Sequence, residues 1–237
     1  MKPQPTIIAV VPAAGIGSRM QADRPKQYLL INGKTILEHT LQALHSHPAI
    51  AHVVVAISPE DPFFAELPVA SASWLTRIAG GQERADSVLR AVATLPADCW
   101  ALVHDAARPC LSHADIDKLV GVCTQQEVAG GILATPVRDT MKRARPGASQ
   151  SPEIAHTECR ENLWHALTPQ LFRADQLTQA LAQGLAQGLP ITDEASAMEA
   201  AGYCVALVDG NPANIKITRP ADMPLAQFYL SALQEHN

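Results

Sequence analysis

The sequence predicts an α/β fold, a mainly parallel sheet flanked by helices, and three observations support this. Short runs rich in Val and Ile alternate with amphipathic helical patterns along the 237 residues. Glycine-rich stretches follow two of those runs, at Gly15 and at Gly80–Gly81. Hydrophobic residues make up 47% of the chain and charged residues 17%, which excludes a disordered polymer and leaves enough apolar side chain for a core.

The elements follow in order. Thr6–Val11 is a buried first strand. A helix then places Leu37, Leu41 and Leu44 on one face. His52–Ile57 is a second buried strand, and Leu75–Ala79 a weaker one. Val88, Leu89, Val92 and Leu95 recur at helical spacing, and Trp100–His104 returns to the strand pattern. Ser112 with Asp115 has the form of a capping box, opening a helix that buries Ile116, Leu119, Val120 and Cys123. Gly130–Thr135 is a further strand. From Pro136 to Thr157 the alternation breaks into two extended arms around a polar turn, with Arg138, Lys142, Arg143 and Arg145 along it. A two-stranded ribbon alone is marginally stable, so this arm is expected to pack on something, most simply a second subunit; a mobile surface loop is the other reading. A helix spans Arg173–Gln187, late strands are expected at Val205–Val208 and Ile215–Ile217, and a terminal helix is expected to bury Leu225, Phe228, Tyr229 and Leu233. No linker divides the chain, so residues 1–237 read as one domain with 136–157 as an arm.

The formal charge of −5 argues against a dedicated nucleic-acid binder, though not against a local cationic pocket. No apolar run approaches the ~18 residues of a membrane span, and the first fifteen residues read as a buried strand rather than a secretory signal. The five cysteines are odd in number and lack CxxC spacing, so they are expected to be buried thiols of a cytoplasmic protein rather than disulfides or a zinc site.

Three loops carry candidate chemistry. After the first strand comes PAAGIGSRM, Pro12–Met20, then Arg24-Pro25-Lys26-Gln27. In an open α/β sheet ligands sit beyond the carboxyl ends of the strands. Gly15 and Gly17 let the backbone approach phosphates, and Arg19 and Lys26 add fixed cations. A dinucleotide fingerprint fails because Met20 stands where its last small residue belongs. Gly33-Lys34-Thr35 imitates a P-loop, but that motif needs Gly at position 28, where Tyr28 stands; Asn32-Gly33-Lys34 reads as a turn. The second loop, Gly80-Gly81-Gln82-Glu83-Arg84-Ala85-Asp86-Ser87, can bring backbone against a flat base or be an ordinary helix start. The third, His104-Asp105-Ala106-Ala107-Arg108-Pro109, offers a strand-end carboxylate for a metal or a hydroxyl and an arginine for an anion, or a plain Asp–Arg pair; His104 reads as a packed histidine. Asp139-Thr140, Arg160, Trp164–Gln170, Thr192-Asp193-Glu194 and Asn214–Thr218 are further candidates, with Thr192 or Asp193 equally readable as a helix cap.

Taken together and in order, VVPAAGIGSRM, RPKQY, GGQERADSV, VHDAARP, PVRDTMKR, LWHALTPQ, TDEAS and NIKITRP resemble the 2-C-methyl-D-erythritol 4-phosphate cytidylyltransferases of the non-mevalonate isoprenoid pathway. The resemblance implies a Rossmann-like nucleotidyltransferase fold with a protruding β-arm, and transfer of CMP from CTP to methylerythritol phosphate with Mg²⁺ or another divalent ion. It implies Arg19 and Lys26 as transition-state stabilisers, and Arg160 and Lys216 as positioners of the attacking phosphate. Ala13, Ala14, Gly15, Gly81, Gln82 and Ser87 would hold the cytidine, while Asp105, Arg108, Thr140, Thr168 and Thr192 would line the erythritol side, with Asp105 also the candidate metal ligand. It further implies a cytoplasmic homodimer joined through the 136–157 arm, in which Thr140 and Arg160 serve the neighbour's site, and no nucleic acid or membrane as partner. A cytidylyltransferase for ribitol 5-phosphate, a nicotinamide-dependent dehydrogenase and a silent nucleotide sensor are the competing readings.

Overall fold

Seven strands form one sheet whose order reverses at its first strand. The computed structural model describes residues 5–15, 24–147 and 151–235. Strand β1 (Ile7–Pro12) lies between β4 (Ile50–Ile57) and β6 (Trp100–Val103) and runs parallel to both. Beyond β4 lies β5 (Leu75–Ala79), also parallel. On the other side, β10 (Trp164–Arg173) follows β6, then β7 (Gly130–Pro136) and β11 (Val205–Asp209). The chain leaves β1 toward one edge and later returns to its other flank. That reversal opens a crevice beyond the carboxyl end of β1, the place where open α/β sheets bind ligands.

The period-2 pattern of the strands sorts the core into two layers. Ile7, Ala9 and Val11 face the layer of α1 (Ile36–His45) and α3 (His113–Val120), with Leu37, Leu41, Leu44, Ile116 and Leu119 fully buried there. Ile8 and Val10 face the opposite layer, formed by α2 (Arg84–Val92), α4 (Ala174–Ala186) and α5 (Glu194–Ala200). The GKT segment belongs to a hairpin of β2 (Leu30–Ile31) and β3 (Lys34–Thr35), with Asn32 and Gly33 both at positive φ, 49° and 80°. Thr35 caps α1 reciprocally with Glu38, so its hydroxyl is spent on the helix.

Several expectations change. Trp164–Gln170, read only as a motif, belongs to a central strand, Trp164–Arg173, antiparallel to both β6 and β7. Pro169 hid it, since proline within a run argues against a central strand; the sheet accommodates it with a register shift between Ala166 and Gln170 and a cis Thr168–Pro169 peptide. Ile215–Ile217 is not a strand; the amide of Ile217 instead donates to the Ala107 carbonyl, pinning this segment beside the loop after β6. In the terminal helix α6 (Asp222–Glu235) the buried residues are Ala226 and Leu230, while Leu225 and Phe228 are 44% and 66% exposed. Tyr229 and Leu233 are partly buried against the same cluster, so the expected face is shifted rather than lost: Ala226 and Leu230 are at its centre, and the Cys110 thiol reaches the Ala226 carbonyl at 3.6 Å. The Ser112 hydroxyl accepts the Asp115 amide, but Asp115 does not return the bond; its carboxylate receives the Asn211 amide. The cysteines are free, yet Cys159 and Cys204 are exposed rather than buried. Between β7 and β10, β8 (Lys142–Ala144) and β9 (Ile154–Thr157) pair antiparallel as a ribbon exposed along its length. No helix among the described residues is long and apolar enough to cross a membrane.

Candidate active site

Two adjoining clefts open at the carboxyl end of β1. The first, about 200 Å³, is enclosed by two loops that face each other. Ala13, Ala14 and Gly15 form one wall as the chain leaves β1, with the Ala13 amide bonded to the Ala56 carbonyl of β4 at 2.8 Å. The Gln27 amide nitrogen, itself buried, donates to the carbonyls of Ala13 and Gly15 at 3.0 and 3.1 Å and fixes that wall from behind. Gly81, Gln82 and Ser87 form the facing wall. Ser87 is buried; its hydroxyl accepts the Gly81 amide at 2.9 Å and donates to the Glu83 carbonyl at 3.2 Å, so it shapes this loop as α2 begins. A methyl group on Gly80 would lie 2.5 Å from the Ala14 Cβ, and one on Gly81 2.2 Å from the Asp86 Cβ. Glycine at 80 therefore lets the two walls approach each other, and glycine at 81 lets its own loop fold tightly against the start of α2.

The second cleft, about 270 Å³, is lined by charged and polar side chains from distant segments: Arg84, Asp105, Arg108, Thr168, Thr192 and Lys216 among them. Arg84, Asp105 and Lys216 also line the first cleft and form the wall between the two. Asp105 is the centre of that wall. Its Oδ1 accepts Arg84 Nε at 3.0 Å, and its Oδ2 meets Lys216 Nζ at 2.8 Å and Arg108 Nε at 3.5 Å. Burial pushes this carboxyl up, but Arg84, Lys216 and Arg108 outweigh it and hold it well below the usual carboxylate range. Arg84 in turn grips the fully buried Glu194 with both terminal nitrogens, at 2.7 and 3.1 Å. Burial lifts the Glu194 carboxyl above its ordinary range, and Arg84 pulls it the other way.

His104 is a packed histidine, as expected. Its Nε2 lies 2.9 Å from the Arg108 carbonyl, which can only accept, so Nε2 carries the proton and Nδ1 accepts from the Thr168 hydroxyl at 3.0 Å. That hydroxyl also accepts the Asp105 amide at 3.0 Å. Burial pushes the His104 imidazole down to about 4. Arg108 donates to the Asn214 carbonyl and the Asn214 side chain donates to the Thr168 carbonyl, each at 2.7 Å, tying the loop after β6 to β10 and to the segment before α6. The helix cap beside the cleft is Asp193: its Oδ1 accepts the Ser196 amide at 2.9 Å, while Thr192 lines the cleft.

Lys26 and Lys216 line the same cleft, and Lys26 Nζ donates to the carbonyl of Ile217 at 2.9 Å. Arg19 and Gly17 lie outside the described residues. Thr140 and Arg160 are exposed, on or beside the arm, and Arg160 donates to the Arg138 carbonyl; neither lines either cleft of its own chain. Sequence reasoning gave no role to Gln27, Arg84, Glu194 or Asn214. Their only signal was position, each lying inside a motif singled out for another residue.

The described residues contain no group of three or more His, Cys, Asp or Glu able to cage a metal. Asp105 lies in the wall between the two clefts, with Glu83 in the first and Asp193 in the second, and it is the carboxylate that would hold a divalent ion. One protein oxygen with phosphates supplying most of the rest suits Mg²⁺.

Lysines 190 residues apart thus meet beside a groove cut for a flat, phosphate-bearing ligand, at the reversal point of an α/β sheet. That is the build of a nucleotidyltransferase. The profile of the 2-C-methyl-D-erythritol 4-phosphate cytidylyltransferase family matches residues 7–232, and the chain belongs to that family. A protein of that name from Alteromonas mediterranea is 61% identical over 226 residues, covering 95% of this chain and 93% of the relative. One from Vibrio vulnificus is 61% identical over 231 residues, covering 95% of each. The crystal structure of the Francisella tularensis 2-C-methyl-D-erythritol 4-phosphate cytidylyltransferase superposes with a TM-score of 0.80 at 34% identity, covering 94% of this chain and 99% of that one. The dehydrogenase reading is overturned by these matches.

Proposed function

We propose that the protein transfers the cytidylyl group of CTP to 2-C-methyl-D-erythritol 4-phosphate, releasing pyrophosphate. The supporting observation is the shared wall of Arg84, Asp105 and Lys216, with Lys26 reaching the same cleft: a cationic seam between a groove for a nucleotide and a pocket for a hydroxylated anion. Methylerythritol phosphate is favoured over ribitol 5-phosphate by relatives that share 61% of their residues and carry the former in their names.

An oxygen of the acceptor phosphate attacks the α-phosphorus of CTP in line. A new phosphorus–oxygen bond forms, the bond from the α-phosphorus to the bridging oxygen breaks, and pyrophosphate leaves with its electron pair. The attacking phosphate is already ionised near neutrality, so the protein needs no general base. What it supplies is juxtaposition of two anions and neutralisation of developing charge. Ala13, Ala14, Gly15, Gly81 and Gln82 hold the cytidine, with Ser87 setting the loop. Lys26, together with Arg19, neutralises the phosphates at the reacting centre. Lys216 releases Asp105 to take the incoming phosphate, together with Arg160. Asp105 and Thr192 face the polyol hydroxyls, and Arg108 and Thr168 hold Asp105 in place. A divalent ion, when bound, withdraws charge from the triphosphate. The exposed arm joins two copies, and Thr140 and Arg160 then serve the neighbour's site. The free thiols agree with a cytoplasmic setting.

A panel of polyol phosphates with CTP, followed by pyrophosphate release, tests this. Turnover with methylerythritol phosphate well above all others is expected. Brisk release with ribitol 5-phosphate and none with methylerythritol phosphate would overturn the choice of acceptor.

A further inference from the structure

We infer that Arg84 and Glu194 are a positioning pair for the acceptor: they hold the Asp105 carboxylate in place when Lys216 leaves it for the substrate phosphate. The inference rests on the function proposed above and concerns its acceptor pocket.

Asp105 is restrained by three hydrogen bonds, with Arg108 Nε standing farther off at 3.5 Å. Its amide is bonded to the Thr168 hydroxyl, its Oδ1 to Arg84 and its Oδ2 to Lys216. The three cations are differently placed, and Arg108, which donates to the Asn214 carbonyl, makes the longest contact with the carboxylate. Lys216 sits on a flexible stem with one contact to the carboxylate and a side chain 36% exposed, so it can turn toward an arriving phosphate. Arg84 cannot follow. Nη1 and Nη2 are committed to the two oxygens of Glu194, which leaves Nε for Asp105. This two-point grip fixes the plane of the guanidinium. Glu194 is anchored as well: it opens α5, whose Ala195 amide donates to the Gln170 side chain of β10 at 2.9 Å, while Gln170 donates to Asp193 at 2.9 Å.

The consequence for chemistry is a division of labour. A carboxylate that reads polyol hydroxyls must stay ionised and aimed while a phosphate arrives nearby. Arg84 keeps a hydrogen-bonded cation on Oδ1 of Asp105 throughout, while Arg108 stays at 3.5 Å from Oδ2. Glu194 keeps Arg84 from swinging its terminal nitrogens onto the phosphate, where it would compete with Lys216 and hold the product.

The test compares Arg84→Lys, Glu194→Gln and the double variant Arg84→Met/Glu194→Leu in the full-length enzyme, measuring KM for each substrate, kcat and Tm. Loss of one charge-assisted contact predicts an acceptor KM raised about 10- to 100-fold, with KM for CTP within about threefold of wild type. The double variant separates positioning from folding, because a buried ion pair can often be exchanged for packed apolar side chains without loss of stability. It is expected to keep its Tm and still show the raised acceptor KM. Arg84→Lys keeps the charge but not the fork, and is expected to fall between wild type and the double variant. Equal rises in both KM values, or a double variant with the wild-type acceptor KM, would overturn the inference. A wild type that accepts only a different polyol phosphate fails the functional reading instead, and the variants are then compared on that acceptor.

Discussion

The two clefts are made of different materials. The nucleotide groove runs between two close loops, three consecutive residues after β1 and the Gly81–Gln82 turn before α2, braced by Gln27 and Ser87, with charged side chains gathered only at the wall it shares with the other cleft and at Lys26. The acceptor pocket is side chain: ionic and polar groups from α2, the loop after β6, β10, the start of α5 and the segment before α6. A groove between two loops depends on close approach, so it fails by steric intrusion. A pocket of paired charges depends on long-range convergence, so it fails by loss of a partner. Substitutions on the two sides are therefore expected to leave opposite kinetic signatures.

The largest effect is expected at the seam. Lys26→Ala should lower turnover about 100- to 1000-fold, the scale of one lost transition-state charge contact, while CTP still binds measurably by calorimetry. Normal turnover would remove Lys26 from the chemistry. On the acceptor side, His104 links stability to pH. Its imidazole is held neutral in the fold, down to about 4, whereas the unfolded chain takes up the proton near 6.5. The unfolded state thus binds more protons between those values, so this contribution is complete above about pH 6.5 and is lost as pH falls toward 4, amounting to about 3 kcal/mol. Denaturant melts across that range should show the decline, and His104→Asn should flatten it. On the nucleotide side, Gly81→Ala places a methyl against Asp86 and is expected to cost about 2 kcal/mol of CTP binding, read as a KM for CTP raised about 30-fold with the acceptor KM unmoved. The reverse pattern, at about 1 kcal/mol, is expected of Thr168→Val, which strips the Asp105 amide and His104 of their shared hydroxyl: the acceptor KM rises about fivefold and that for CTP stays. If both variants moved the same constant, the division between the clefts would not hold.

The same contrast explains what could be read without a structure. The strands β1, β4, β5 and β6 and the loops after β1, β5 and β6 were legible because parallel strands announce themselves as apolar runs and the first two of those loops as glycine; the order of the strands in the sheet was not. Lys26 was legible as a cation in such a loop and His104 as a packed histidine, whereas Lys216 was a candidate only at the end of a strand that does not form. The Arg84–Glu194 pair was not, because its members stand 110 residues apart and neither motif names the other. β10 was concealed by Pro169, and the buried face of α6 is centred on Ala226 and Leu230 rather than on Leu225 and Phe228. In each of these cases tertiary convergence overrode a local pattern.

The last strand of the sheet ends at Asp209, and Asn214, Lys216 and Ile217 come after it. The sheet can therefore pair all seven strands without them, and they finish the cleft by docking on it from outside: Asn214 on Arg108, Lys216 on Asp105, and Ile217 on Ala107 and Lys26. Whatever loosens this one short segment opens both clefts at once while leaving the sheet intact.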